Sequence, residues 1–203
     1  MKTFYSELKD IVDPAHTAIV VWDVQNGLVN NIFNKQDFVK NLKLFIDEGR
    51  RKEIKIFYTK ITPMPYGFES PFRMYMNAKR FGVQDPKKIR FMEPGSQEAE
   101  IYNEIKPERD DTVINKNTAD IFIGTNFELM MRNAGIETII FTGIATEIGV
   151  ESSARSASNR GFYPVVVEEC VSSSNKEMHE ASLQIMRMQI IVEKAANIVS
   201  TWK

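Results

Sequence analysis

Cysteine is nearly absent from this chain: Cys170 is the only one among 203 residues. A single thiol excludes an internal disulfide framework and a cysteine-rich metal site. Histidine is almost as scarce, since only His16 and His179 occur. A transition-metal site would therefore have to rely on carboxylates. We expect no metal and no cofactor.

Long apolar runs and an imbalance of charge are also missing. The longest apolar stretches, such as residues 17–22 and 138–145, fall far short of the roughly 20 residues that cross a bilayer. The first ten residues, MKTFYSELKD, contain no apolar signal core. Lysine and arginine number 26 against 27 aspartate and glutamate, which does not favour nucleic-acid binding. We expect a cytoplasmic protein that binds neither membranes nor nucleic acids.

What is present is an alternation of apolar strands and helices. Short runs rich in β-branched residues predict six strands, at 18–23, 55–60, 111–115, 138–143, 163–169 and 189–193. Most lack polar alternation, which indicates strands buried on both faces of a sheet. Amphipathic helical patterns lie between them. The sequence predicts an α/β fold: a single three-layer αβα domain, 1–203, with a six-stranded, mostly parallel, Rossmann-like sheet and helices on both faces.

One segment, 61–110, interrupts this alternation and is predicted to be a long, lid-like insertion after the second strand. Its second half is basic: Asp85 is the one acidic residue between 71 and 90, against Arg73, Lys79, Arg80, Lys87, Lys88 and Arg90. These charges fit a solvated helix face. They also fit contact with an anionic substrate, for which Arg73 and Arg80 are the better candidates because a guanidinium matches a carboxylate.

Polar residues at strand ends mark the place where open parallel sheets bind ligands. Asp23 ends the first strand, Lys116 follows the third, and the fourth runs into residues 144–149. Taken singly, Asp23 could be a helix cap and Lys116 a surface lysine. Brought together in a crevice, the carboxylate and the ammonium would tune each other for acid–base work.

These segments resemble the isochorismatase-like hydrolases, the superfamily that also contains nicotinamidases and other cysteine amidohydrolases. The resemblance runs from Thr17 to about Val192, through AIVVWDVQNGL, VINKNTADIF, GTNFELMMRNAGI and TGIATEIGVESSARSA. It implies that Asp23 and Lys116 are catalytic. It also makes Gln25 and Phe122, which lie within these motifs, candidates for substrate contact.

The chain departs from the cysteine amidohydrolases at the nucleophile. They carry a cysteine six residues after the glycine of the TG pair, where this chain has Gly149. Cys170 lies in a different part of the motif. Ser152 and Ser153 come three and four residues later, about a helical turn away, and no motif supplies either with a base.

True isochorismatases resemble this chain in having glycine at that position. They hydrolyse a vinyl ether: an aspartate protonates the enol ether, and water attacks the oxocarbenium-like cation, so no thiol is needed. The resemblance implies that Asp23 is this acid and that Lys116 positions it and tunes its pKa.

The turn before Gly149 also differs from isochorismatases, which carry an aromatic residue and a histidine there. This chain has Ala145, Thr146 and Glu147. Glu147 is a candidate pocket residue that would oppose a dianionic substrate, which argues against isochorismate. The resemblance further implies a cis peptide at Ile144–Ala145, with the N–H groups of Ala145 and Gly149 facing a substrate carbonyl or carboxylate. Metal-binding relatives carry histidines after the second strand, and TKITPMPYGFES has none.

The expected function is hydrolysis of a small, carboxylated metabolite by Asp23 and Lys116 without a cysteine nucleophile. Two alternatives stay open. One is an inactive family member that binds a small molecule or partner, and the other is an amidohydrolase that uses water directly. The resemblance also implies a homo-oligomer, a dimer or higher.

Overall fold

The computed structural model describes residues 4–89 and 91–202. Its centre is a six-stranded sheet in the order β3-β2-β1-β4-β5-β6, and every neighbouring pair is parallel. The strands are β1 Thr17–Trp22, β2 Lys55–Ile61, β3 Thr112–Lys116, β4 Thr138–Ile144, β5 Tyr163–Ser172 and β6 Ile191–Glu193. The predicted α/β class with a parallel, Rossmann-like sheet is confirmed. The strand order reverses between β1 and β4, where such sheets open a crevice.

Helices cover both faces of this sheet. They are α1 Leu8–Ile11, α2 Asn26–Val29, α3 Lys35–Arg51, α4 Pro71–Phe81, α5 Phe127–Asn133, α6 Glu151–Asn159, α7 Lys176–Met186 and α8 Ala195–Thr201. Alternate residues of β1 enter different cores. Ile19 and Val21 pack with α3 and α8, whereas Val20 and Trp22 pack with α5, α6 and α7. This period of two gives the three layers that the sequence predicts.

Burial depends on where a strand lies in the sheet. All residues of β1 and β4 are buried, as their apolar runs predict. By contrast, β3 lies at one edge, and its Val113 is 45% exposed. The edge strand β6 is only half-buried. An edge strand has one neighbour and partial helix cover, so an apolar run there does not imply burial on both faces.

In the long connection between β2 and β3, the described residues 62–89 and 91–111 contain α4 and four short 3₁₀ turns. Gln25, three residues after β1, links the end of β2 at Ile61 to Ala99 in the second half of this connection. Its side-chain amide donates to the Ile61 and Ala99 carbonyls, and its oxygen accepts from the Ile61 N–H, at 2.8–3.1 Å. Helix α4 has no buried residue. Among the described residues, no helix combines the length and apolarity needed to span a bilayer.

Candidate active site

Asp23 and Lys116 meet at the carboxyl end of the sheet. Asp23 follows β1, and Lys116 is the last residue of β3, two strands away. The Lys116 ammonium donates to Asp23 Oδ2 at 2.7 Å, and both side chains are at least 96% buried. The sheet thus joins residues that are 93 positions apart in sequence.

Thr59, on the intervening strand β2, holds this pair in place. Its hydroxyl donates to Asp23 Oδ1 and accepts from the Asp23 N–H, at 2.9 Å for the latter. Asp23 has a φ of 42°, a region that few residues other than glycine adopt and that asparagine and aspartate tolerate best. Thr59 is not among the residues predicted from sequence. Its signal is a hydroxyl in the buried middle of β2, which also contains Ile56, Phe57 and Tyr58.

Burial shifts both members of the pair toward their neutral forms. Desolvation raises the pKa of Asp23, against the opposing effect of Lys116 and Thr59. Desolvation also lowers the pKa of Lys116, against the attraction of Asp23. A carboxyl whose pKa is raised retains a proton closer to neutral pH, which is the requirement for a general acid.

Asp23 opens onto a cavity of about 1540 Å³. Trp22, Ala145 and Gly149 share its floor with Asp23, and much of its wall comes from residues 61–89 and 91–94. The wall is largely apolar and includes Met64, Met74, Met76, Phe81, Phe91 and Met92. The Lys116 side chain is fully buried behind Asp23 and does not line the cavity. Asp23 is therefore the member of the pair that a ligand can touch.

Trp22 is packed between two glycines beside Asp23. A Cβ atom on Gly149 would lie 1.9 Å from Trp22 Nε1, and one on Gly143 would lie 2.1 Å from the Trp22 carbonyl oxygen. Gly143 also has a φ of 105°, which favours glycine. The Lys116 ammonium lies 3.9 Å from the centroid of the indole ring. Position 149 thus has no space for a side chain while Trp22 keeps this position.

The turn after β4 agrees only partly with its predicted role. The peptide Ile144–Ala145 is cis, as predicted, and Ala145 and Gly149 line the cavity. However, the Gly149 N–H donates to the Ala145 carbonyl at 3.1 Å, because a π turn, Thr146–Val150, starts α6. In this structure the Gly149 N–H therefore already has an acceptor, and its role in binding a substrate oxygen stays a prediction. The Ala145 N–H has no partner within this turn.

Glu147 lines the cavity, half-buried. One carboxylate oxygen accepts from the Ser173 hydroxyl at 2.6 Å. The other oxygen is buried and has no hydrogen-bond partner among the described residues. Its negative charge lies at the same opening as Asp23.

The two arginine candidates differ in their hydrogen bonds and ion pairs. Both arginines line the cavity. Arg73 donates to the carbonyls of Asn117 and Thr62, which fastens α4 to the segment after β3. Arg80 is exposed and makes no ion pair with any described residue. Of the other basic residues, Lys87 lines the same cavity, and Arg90 lies outside the described residues.

Two predicted substrate contacts do not reach the cavity. Gln25 is fully buried, and its amide is occupied by the backbone bonds that anchor residues 61 and 99. Phe122 packs against Phe127 and Phe162 in the core, with ring centroids 5.3 and 6.1 Å away. Both residues lie close to the site in sequence but support its scaffold instead.

The other potential nucleophiles are occupied or remote. Ser153 Oγ accepts from the Ile121 N–H at 3.2 Å and donates to the Ala119 carbonyl at 3.4 Å. Cys170 is fully buried in the core, and burial raises the pKa of its thiol, so the reactive thiolate is disfavoured. Within residues 4–89 and 91–202, no group of three or more His, Cys, Asp or Glu side chains could hold a metal ion.

Comparison with known proteins agrees with this architecture. Residues 17–202 match the isochorismatase domain family. The chain is 31% identical over 175 residues to an uncharacterized isochorismatase family protein of Bacillus subtilis, YwoC, covering 86% of this chain and 87% of that one. It is 28% identical over 172 residues to the ureidoacrylate amidohydrolase RutB of Rhizobium rhizogenes, covering 77% and 70%.

A solved structure supports the same fold. The cysteine hydrolase of Pseudomonas syringae pv. phaseolicola superposes with a TM-score of 0.80 over 94% of each chain, at 17% identity. The family match spans nearly all of the chain and includes the strand ends that carry Asp23 and Lys116. The chain therefore belongs to the isochorismatase family and is a hydrolase of that family.

Proposed function

We propose that this hydrolase acts on a small, carboxylated metabolite, with Asp23 as its general acid and without a cysteine nucleophile. The observation that carries this proposal is the contact between Trp22 and Gly149. A Cβ at position 149 would overlap the indole at 1.9 Å, so the position where cysteine amidohydrolases carry their thiol is filled by another side chain. Asp23, buried and paired with Lys116, remains at the cavity floor.

The raised pKa of Asp23 suits the hydrolysis of an enol ether. Asp23 would protonate the terminal alkene carbon, and the carbon bearing the ether oxygen would become an oxocarbenium-like cation. The Asp23 carboxylate would stabilise that cation and then take a proton from the attacking water. The resulting hemiketal breaks down to a ketone and an alcohol. Lys116 and Thr59 would keep the carboxyl in place throughout.

The charges around the cavity support a substrate with one carboxylate. Arg80 is exposed, makes none of the ion pairs found among the described residues and lies at the wall, so its positive charge would attract a carboxylated substrate into the cavity. Glu147 lies on the floor side and would repel a second negative charge. This arrangement favours a monoanion over a dianion such as isochorismate.

Amide hydrolysis is the second candidate, because one relative is a ureidoacrylate amidohydrolase. In that reaction, Asp23 would act in its ionised form as a base, and water would attack the carbonyl without an acyl-enzyme. A binding protein that has lost catalysis is the third. Retention of the buried Asp23–Lys116 pair favours an enzyme, since an unused buried ion pair is costly to keep.

The test is a turnover screen by NMR with isochorismate, simpler enol ethers, nicotinamide, ureidoacrylate and N-carbamoyl compounds. Asp23→Asn is expected to lower kcat/KM by about 10²–10⁴-fold for the active compound, because the amide cannot donate a proton as an acid does. Cys170→Ser is the matched control and is expected to keep full activity, also after iodoacetamide treatment, since the thiol is buried in the core and does not line the cavity.

Each result of this screen has a distinct meaning. Turnover of an enol ether that Asp23→Asn abolishes supports acid catalysis. Turnover of an amide with the same dependence supports the water-based amidohydrolase. Loss of activity in Cys170→Ser with the fold intact would refute a mechanism without a thiol. Ligand binding without turnover of any compound would favour the binding protein.

We also propose a homo-oligomer. Phe68, Phe72 and Tyr75 are 80%, 71% and 60% exposed and cluster on and before α4. Exposed apolar patches of this kind are typical of protein contacts. Light scattering at micromolar concentration is expected to give at least twice the mass of one chain, and a monomeric mass would contradict the proposal.

A further inference from the structure

The indole N–H of Trp22 is a polar group on the cavity floor that the mechanism above does not use. We propose that this N–H is a substrate-binding donor, which hydrogen-bonds a carboxylate or carbonyl oxygen next to the bond that is hydrolysed. The inference rests on the proposed function, because it places the substrate in the same cavity. It assigns Trp22 a role in substrate specificity.

The orientation of the Trp22 ring determines where its N–H lies. The Trp22 atoms nearest to an ideal Cβ on Gly149 are Nε1 at 1.9 Å, Cε2 at 2.3 Å and Cζ2 at 2.6 Å. The nitrogen edge of the indole therefore faces the glycine. Trp22, Asp23 and Gly149 all line the cavity. The donor thus lies where a side chain at position 149 would begin, in the cavity that Asp23 also lines.

The hydrogen bonding of the two tryptophans differs. Trp202 Nε1 donates to the Val12 carbonyl at 2.8 Å inside the core. Trp22 is 1% exposed as a residue, but its Nε1 donates to none of the described residues and is not among their fully buried unpaired atoms, so this nitrogen keeps access to the cavity that Trp22 lines. Buried indole N–H groups usually have a partner. Since Trp22 borders the cavity, a ligand atom can supply the missing acceptor.

Electrostatics decide which kind of ligand atom that is. The edge of an aromatic ring is electropositive, and an indole N–H only donates. The Lys116 ammonium, 3.9 Å from the ring centroid, draws electron density from the ring and strengthens the donor. The N–H edge therefore selects an anionic or carbonyl oxygen and disfavours a cation. An enol ether with a carboxylate on the same carbon, or an amide, offers such an oxygen.

The experiment uses the two indole ¹H–¹⁵N resonances of the full chain. Trp202→Phe assigns them, because it leaves Trp22 as the single tryptophan. The probes are 2-methoxyacrylate, a minimal carboxylated enol ether, and ureidoacrylate. Saturation with a probe is expected to move the Trp22 indole proton downfield, as a new hydrogen bond does, and to leave the Trp202 proton unchanged.

An isosteric replacement isolates the hydrogen bond from the packing. In the Trp202→Phe background, β-(3-benzothienyl)alanine at position 22 replaces N–H by sulfur and keeps the bicyclic shape. The expected result is a dissociation constant or KM about tenfold higher for the probe, the usual effect of one lost hydrogen bond. The melting temperature and the pH profile of kcat are expected to stay unchanged, which a merely structural role would not predict.

The outcomes separate this inference from the proposed function. Turnover that depends on Asp23, with no shift at Trp22 and no effect of the sulfur isostere, overturns the inference alone. A shift at Trp22 with a weaker-binding isostere but no turnover supports the inference and contradicts the hydrolase mechanism. Absence of both binding and turnover for every compound of the screen counts against both.

Discussion

Replacing Lys116 with methionine is expected to destabilise the protein by about 3–5 kcal/mol at neutral pH. Methionine keeps the length and apolar volume of the lysine stem but removes its charge. Lys116 Nζ donates to Asp23 Oδ2 at 2.7 Å and to the Thr118 carbonyl at 3.2 Å, with its side chain fully buried. The variant would leave the Asp23 carboxylate buried without its counter-ion, and turnover is expected to fall at least about a hundredfold.

The destabilisation by Lys116→Met is expected to depend on pH in a defined direction. Burial already raises the pKa of Asp23 in the folded protein, and loss of Lys116 removes the main opposing effect. The folded state then binds a proton more tightly than the unfolded state, whose aspartate pKa is about 3.9. Stability therefore falls as the pH rises from about 4 through the raised pKa, and it levels off above that pKa. The variant is expected to be closest to wild type in acid.

Denaturant unfolding of both proteins between pH 4 and pH 8 measures this difference. Lys60→Met is the matched control, because Lys60 lies on the neighbouring strand β2 and pairs with the exposed Glu100 at 2.8 Å. Surface pairs of this kind contribute about 0–1 kcal/mol. Equal stability of the two variants, with no dependence on pH, would show that Asp23 is not held as a buried anion by Lys116.

Replacing Gly149 with alanine is expected to cost about 3 kcal/mol or more, at the upper end of overpacked substitutions. The added methyl would lie within 2.6 Å of three atoms of the Trp22 indole. The indole can move little, because Gly143 packs closely against the Trp22 backbone and the Lys116 ammonium lies over the face of the ring. Cysteine is larger than alanine, so Gly149→Cys is expected to be worse and to give no active thiol.

A double-mutant cycle tests whether Trp22 is the cause. In a Trp22→Val background, where the indole is gone, Gly149→Ala is expected to be nearly neutral, so that the coupling between the two sites is about 2 kcal/mol or more. Gly67→Ala is the control, because a Cβ there meets nothing within 4 Å. A cost for Gly149→Ala that equals the control, or that is the same in both backgrounds, would contradict the steric explanation.

Strand-end residues were the part of the site that could be predicted from sequence. Asp23 and Lys116 lie at strand ends, and parallel strands bring their carboxyl ends to one edge of a sheet; the family resemblance implies their catalytic role. The distance of 2.7 Å between Lys116 Nζ and Asp23 Oδ2 depends on the strand order, because only β2 lies between β1 and β3. Thr59, on β2, donates a hydrogen bond to Asp23. The sequence of β2 alone does not show which residue this hydroxyl contacts.

Side-chain direction and local backbone turns decide where the other candidate residues point. Gln25 and Phe122 follow the motif residues closely in sequence, but one anchors backbone and the other enters the core. The Gly149 N–H was expected to face a substrate, and the π turn directs it to Ala145 instead. The position of a residue in the sequence shows that it lies near the active site. Whether its side chain or N–H contacts the substrate depends on rotation about a few of its bonds, which the sequence does not show.

By itself, the sequence determined the α/β class, the family motifs with Asp23 and Lys116, and the absence of a thiol at position 149. The fold class follows from the periodicity of apolar residues, whereas the motifs and the missing thiol follow from the resemblance to the family; both can be read along the chain. Only the tertiary structure decided why position 149 is glycine. Trp22 lies 127 residues earlier, and its indole reaches Gly149 only because β1 and β4 pair side by side. Steric exclusion between distant residues is a property of packing, so it becomes visible only once the sheet is assembled.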